Sequence, residues 1–195
     1  MKSYYAVYKP YGMLSQFSAE GKRDTLASLG SFSKDVYPVG RLDADSEGLL
    51  ILTNDKSLNS ELLQPSQRHR RVYFAQVEGE ITSESLENLR SGPTLRIKGK
   101  VYKTKPCGAK KIATPNLPER NPPVRFRKNI PTSWLEIQLI EGKNRQVRKM
   151  TAAVGFPTLR LARWSIEDLT IENFSVGEVR SFSEREMKKL LKLRA

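Results

Sequence analysis

The chain is poor in the residues that most often build metal and acid–base sites. Its 195 residues include one cysteine, Cys107, and one histidine, His69. A single cysteine excludes an intramolecular disulfide. With no apolar signal segment at the start, the expectation is a reducing cytoplasm. A structural zinc site needs four Cys or His ligands, so no metal is expected. Histidine-based acid–base catalysis would rest on His69 alone. No apolar run approaches the roughly 20 residues that cross a bilayer, so no membrane partner is expected. Acidic residues are few: 21 Asp and Glu stand against 34 Lys and Arg, a net charge of +13. Hydrophobic residues make up only 38% of the chain, so the surface must be heavily ionic. The positive surplus is spread along the chain, and such an excess points to a polyanion, with RNA or DNA foremost. The length suits one substantial domain or two small subdomains.

Against that background one stretch stands out, from Pro38 to Asp55. A carboxylate-rich turn runs directly into the apolar run Leu49-Leu50-Ile51-Leu52. Nothing in the run alternates with polar residues, which predicts a strand buried on both faces. Asp43 then lies at the lip of a core element, where a rigid scaffold can hold a reactive side chain. Asp43, Asp45 and Glu47 have the alternate spacing of half a calcium loop. That loop needs a bidentate Glu at its twelfth position, and the residue there is Asn54. Metal binding is rejected on this ground. A glycosidase pair is a further reading, since two carboxylates can divide acid and nucleophile roles, but it has no need of +13. Asp45 and Glu47 are expected only to solvate the turn.

Two more groups carry chemistry. In Glu141-Gly142-Lys143-Asn144-Arg145-Gln146-Val147-Arg148-Lys149-Met150, Asn144 is a good helix N-cap. Arg145, Arg148 and Lys149 would then share one helical face. A cationic helix start is a natural anion site. That anion is either a phosphate or Asp43; the bland alternative is a solvated basic face. In His69-Arg70-Arg71-Val72-Tyr73, an aromatic among cations is the usual platform for an unstacked base. The plainer reading of Tyr73 is a core tyrosine with its hydroxyl satisfied.

Alternation and turn residues predict strands over Ser3–Tyr8, Arg71–Glu78, Trp134–Ile140, Leu159–Trp164 and Leu169–Ile171. Helices are predicted from an Asn54 or Asp55 cap through Leu63, stopped by Pro65, and over Ser83–Arg90 and Asn144–Val154. The stretch Asp24–Leu29 suits a short helix. Ser183 and Glu186 form a capping box for a closing helix, Glu184–Leu193. Gly99–Pro131, with six prolines and many Lys and Arg residues, reads as a long basic excursion with a strand or two at its start. Strands with interspersed helices make the fold class α+β.

These three groups, in this order, resemble the bacterial ribosomal pseudouridine synthases. The family pattern is Gly-Arg-Leu-Asp, two residues, Thr, one residue, Gly-Leu-Leu, and a strand ending Thr-Asn-Asp. It stands here as Gly40 to Asp55, with Ser46 in place of the Thr. The family's basic-x-Tyr element resembles Arg71-Val72-Tyr73, with Arg where Lys is more usual. The element Glu141 to Met150 continues into Ala153-Val154-Gly155-Phe156-Pro157. The resemblance covers the chain from about Tyr4 to Leu169. The stretches Arg120–Arg125 and Ile130–Trp134 look most like the large-subunit branch of the family.

The resemblance implies a mostly antiparallel bent central sheet flanked by helices and loops, in two subdomains around a basic cleft. It implies a single catalytic domain over 1–195, without the N-terminal S4-type RNA-binding domain of many relatives. The implied activity is isomerisation of uridine to pseudouridine in large-subunit ribosomal RNA, without cofactor, on a flipped-out target base. Asp43, Tyr73 and Arg148 are the implied catalytic residues: Asp43 as nucleophile or base, Arg148 as the cation that keeps it ionised in a dry pocket, with Arg145 as fallback, and Tyr73 stacking on the uracil. Arg41 would intrude into the RNA. Arg71, Arg145, Lys149, Arg160 and Arg163 would hold it, with steep salt dependence. The implied substrate is a ribosomal RNA stem-loop and the implied state a monomer. The rival from another class is a non-catalytic ribosome-assembly factor. It would have no reason to keep the Gly-Arg-Leu-Asp element, the Tyr and the Arg together.

Overall fold

The computed structural model describes residues 1–64, 66–97, 99–125 and 127–193. In chain order the first elements are β1 (Tyr4–Lys9), a single 3-10 turn (Leu26–Leu29), β2 (Tyr37–Pro38), β3 (Glu47–Thr53) and α1 (Lys56–Leu63). Then come β4 (Arg71–Glu78), α2 (Ser83–Arg90), β5 (Thr94–Ile97), β6 (Lys100–Lys103), β7 (Gly108–Ile112) and β8 (Thr132–Leu139). The chain closes with α3 (Gln146–Ala153), β9 (Thr158–Ile166), β10 (Leu169–Thr170), β11 (Val179–Phe182) and α4 (Glu184–Leu190). It divides into two compact units, Met1–His69 with Ala162 onward, and Arg70–Leu161.

In the first unit β1 lies between β11 and β3, antiparallel to both. All seven residues of β3 are buried, which is why its apolar run shows no alternation. At its start β3 pairs in parallel with β9, Glu47 opposite Ala162 and Gly48 opposite Arg163. Val7, Met13, Leu26, Val36, Leu50 and Leu52 form the core, with Phe17 and Phe32 packed against it. The motif's end, Thr53-Asn54-Asp55, turns β3 into α1. Asp55 caps that helix, its Oδ1 accepting from Ser57 N at 3.0 Å, while its Oδ2 accepts from the Tyr4 hydroxyl at 2.7 Å. The expected stop at Pro65 lies outside the described residues.

In the second unit β4 and β8 pair antiparallel over eight residue pairs, Arg71↔Leu139 to Glu78↔Thr132, with β7 on the far side of β8. β5 and β6 form a separate hairpin. Ala75, Val77, Leu135 and Ile137 from the strands meet Leu89 of α2 and Val147 and Met150 of α3 in one core. The α+β expectation holds: β1 with β11 and β3, β2 with β3, β10 with β9, β4 and β7 with β8, and β5 with β6 pair antiparallel, and β3 with β9 parallel. The basic excursion has its strands at the start, β6 and β7, and no helix or strand among its described residues from 113 to 131.

Three short strands, β2, β5 and β11, escaped the sequence reading because each has four residues or fewer and a weak alternation. A larger departure concerns α3. It begins at Gln146, not Asn144, and its cap residue is Arg145 in the left-handed region at φ 52°, ψ 34°. The cause is Gln146, whose side chain accepts from Lys143 N at 2.9 Å and donates to Glu141 at 2.6 Å. That pair folds the preceding turn back on itself and leaves Asn144 exposed.

Candidate active site

Asp43 is half-buried on a turn that its own carbonyl closes, accepting from Ser46 N at 3.0 Å. Leu42, 7% exposed, anchors the turn inward, and Arg41 on the other side of it points to solvent. Beneath lies a cluster of buried charges. Lys9 is fully buried at the end of β1, and its ammonium donates to Pro10 O at 2.8 Å and Met13 O at 2.7 Å. Burial lowers its pKa to about 8, although the carboxylates of Glu47, Asp45 and Asp43 pull the other way; Arg163 adds to the lowering. Glu47, 2% exposed, is interior, so the expectation that it merely solvates the turn is corrected. As the first residue of β3, flanked by β1 and β9, it has no route to solvent. Arg163, 5% exposed, donates from Nε to Leu49 O at 2.7 Å. Gly48 sits so close to its backbone that a Cβ there would lie 2.4 Å from Arg163 O.

In the second unit Tyr73 is half-buried on β4 and packs against the core that also takes Val147 and Met150. Arg71 is half-buried two residues earlier, on the same face. Arg145 is exposed; Arg148 and Lys149 are half-buried in the first turn of α3. Arg148 is tethered by a hydrogen bond from Nη1 to Thr158 O at 3.2 Å. Arg145 caps the helix in a left-handed conformation, so it precedes α3 and does not lie within it as expected. Arg160 is buried at 8% exposure, with Nη2 donating to Pro118 O at 2.7 Å. Arg160 and Arg163 each brace a backbone carbonyl from a largely buried side chain. In each a carbonyl takes one N–H group of the guanidinium. His69 likewise leaves the basic group before Tyr73: it is 7% exposed, with Nδ1 3.3 Å from Glu167 Oε1.

The RNA pseudouridylate synthase model matches residues 3–153. The chain belongs to this family. Its members isomerise uridine to pseudouridine in RNA, and the chain is an enzyme of that kind. Among related proteins, a ribosomal large subunit pseudouridine synthase E of Vibrio parahaemolyticus is 51% identical over 170 residues, covering 87% of this chain and 69% of that one. A protein of the same name from Xanthomonas axonopodis is 48% identical, over 84% of this chain and 85% of its own. A crystal structure of a pseudouridylate synthase shares the fold, at TM-score 0.77 and 23% identity, over 97% of this chain and 74% of that one. Among the described residues no helix is long and apolar enough to cross a membrane.

Several structural residues of this synthase were missed in sequence. Lys9 ends an aromatic strand, and a lysine there reads as a surface residue. Tyr102, Glu141 and Gln146 form a network whose only sequence signal is the Glu-Gly pair before the basic helix. The Tyr102 hydroxyl and Lys105 N donate to Glu141 at 2.5 and 3.0 Å. Burial pushes the Glu141 carboxyl up, but these bonds and the Gln146 amide outweigh it and hold it below the ordinary range.

Proposed function

We propose that this synthase converts a uridine of large-subunit ribosomal RNA to pseudouridine, with Asp43 as the reacting carboxylate. The observation that carries the reading is the turn Gly40-Arg41-Leu42-Asp43, built onto a fully buried strand in a chain about half identical to large-subunit synthases. The N-glycosidic bond breaks, the uracil rotates, and a C–C bond forms to the same ribose carbon. One proton leaves the base carbon and one is taken up on the released nitrogen. Substrate and product contain the same atoms, so the reaction consumes no oxidant, reductant or group donor.

Asp43 acts as nucleophile or base, Arg148 keeps its carboxylate ionised, and Tyr73 stacks on the flipped uracil and serves the proton transfer. Arg41, exposed beside Asp43, fills the space the base vacates. Arg71, Arg145, Lys149, Arg160 and Arg163 hold the RNA. The substrate is a stem-loop, the enzyme a monomer, and its compartment the cytoplasm. A single catalytic domain is supported by the family match, which runs through residues of both compact units.

Mapping pseudouridine in large-subunit RNA from cells with and without this protein tests the substrate. Purified Asp43→Asn tests the chemistry. The expected result is RNA binding at the parent affinity with no pseudouridine formed. Normal turnover by Asp43→Asn overturns the assignment.

A further inference from the structure

The turn that carries Asp43 is held from behind by a strap, residues 10–15, that the reaction itself does not use. Ser15 is 6% exposed. Its Oγ donates to Leu42 O at 2.8 Å and accepts from Leu42 N at 3.1 Å. One hydroxyl thus satisfies both backbone groups of the residue before Asp43. On the other side, Gly12 N donates to Ala44 O at 2.7 Å. Asp43 is bracketed: its two neighbours in the chain, Leu42 and Ala44, each have backbone groups tied to the same short strap.

The strap is itself anchored. Lys9 Nζ gathers Pro10 O, at its start, and Met13 O, midway along it, and Met13 is 4% exposed in the core. Beyond Met13, Leu14 N donates to Asp24 O at 2.9 Å. Gly12 makes the reversal at φ +84°, in the left-handed region that a side chain disfavours. A turn this short, with no helix or strand of its own, owes its orientation to these ties.

We infer that Ser15 is a positioning residue for the pseudouridine reaction, fixing the backbone of Leu42 and through it the direction of the Asp43 carboxylate. The inference rests on the reading of Asp43 as the reacting group. Ser15 touches no substrate; it acts by holding Leu42. A displacement of about 1 Å at a reacting group can lower a rate by about 100-fold, so loss of the tie appears in turnover and leaves RNA affinity alone.

The test compares Ser15→Ala, Ser15→Thr, Asp43→Asn and Ser183→Ala in single-turnover assays with a ribosomal RNA substrate. RNA affinity and melting temperature are measured alongside. Ser183 caps α4 away from the turn, accepting from Glu186 N at 3.2 Å, so its variant reports what lost stability alone does. Expected is a rate about 10- to 100-fold lower in Ser15→Ala with RNA affinity unchanged, recovery toward the parent in Ser15→Thr, and a parental rate in Ser183→Ala. A Ser15→Ala rate within about twofold of the parent, or a loss that Ser15→Thr does not recover, overturns the inference. Should Ser15→Ala not fold, Ser15→Cys keeps a side chain of similar size and gives up the two strong hydrogen bonds to Leu42. A parental rate in that variant overturns the inference equally. Normal turnover by Asp43→Asn brings down the reading of Asp43; a dead Asp43→Asn beside a fully active Ser15→Ala brings down the role of Ser15 alone.

Discussion

The Tyr102 hydroxyl donates to Glu141 Oε2 at 2.5 Å, joining β6 to the turn that leads into α3. The same carboxylate takes the Gln146 amide at 2.6 Å. A side chain on a small hairpin therefore sets the entry of the helix that carries Arg148.

Removing that hydroxyl should loosen the turn. Tyr102→Phe is expected to lower stability by about 1–2 kcal/mol, the range for a charge-assisted bond to a partly exposed donor. The Glu141 carboxyl is held low in the fold, so its contribution is complete above its unfolded value of about 4.3 and is lost as pH falls through the folded value. In Tyr102→Phe the loss of stability below about pH 4.3 should be shallower than in the parent. Urea denaturation at pH 3 to 6 measures it, and an unchanged slope would discount the bond.

Asp55 serves two elements at once. Burial pushes its carboxyl up, but Ser57, the Tyr4 hydroxyl and Lys2 together bring it far below the usual carboxylate range. Asp55→Ala removes the cap of α1 and strands the Tyr4 hydroxyl, whose residue is 3% exposed. The expected loss is about 2–4 kcal/mol, a cap plus an unsatisfied buried donor. Thermal unfolding reads it, and Tyr4→Phe made in the Asp55→Ala background should recover part of it.

Gly48 tests the close approach of β3 to β9. It lies at φ +100°, and an added Cβ would meet the backbone of Arg163, which cannot swing aside as a side chain can. Gly48→Ala is expected to lose at least about 2 kcal/mol, from backbone strain and overpacking together. A variant with the parent's melting temperature would show that the two strands separate freely here.

Lys9 predicts an alkaline effect. Its pKa is lowered by burial to about 8 in the fold, against 10.5 for the ordinary side chain. Between those values the unfolded chain holds the proton that the folded one has released, so stability contributed by this group rises with pH. Lys9→Met should lack that rise. The difference in unfolding free energy between parent and variant, measured from pH 7 to 10.5, should widen across the window. A constant difference would mean that the ammonium stays charged throughout.

Much of the fold was legible because it obeys local rules. The unbroken run Leu49–Leu52 announced a strand buried on both faces. Asp55, Thr82 and Ser183 each accept from a backbone N–H two or three residues on, the signature of a helix start. Alternation placed β4 over Arg71–Glu78 without error at either end. The Asp43 turn was visible for the same reason: its glycines and the strand after it are neighbours in sequence.

What local rules do not encode is a partner far along the chain. Arg145 was expected inside a helix, and the reach of Gln146 back to Glu141 put it in a left-handed turn. Arg160 and Arg163 carry the same charge as any surface arginine, and only the folded chain brings them to the carbonyls of Pro118 and Leu49. Ser15 is 27 residues from Leu42, and no spacing foretells that one hydroxyl would take both of its backbone groups. By itself the sequence determined the family, the Asp43 turn and the strand behind it, because each is written in contiguous residues. The tertiary structure alone decided which charges are buried and what holds that turn, because desolvation and hydrogen bonding depend on neighbours that meet only when the chain has folded.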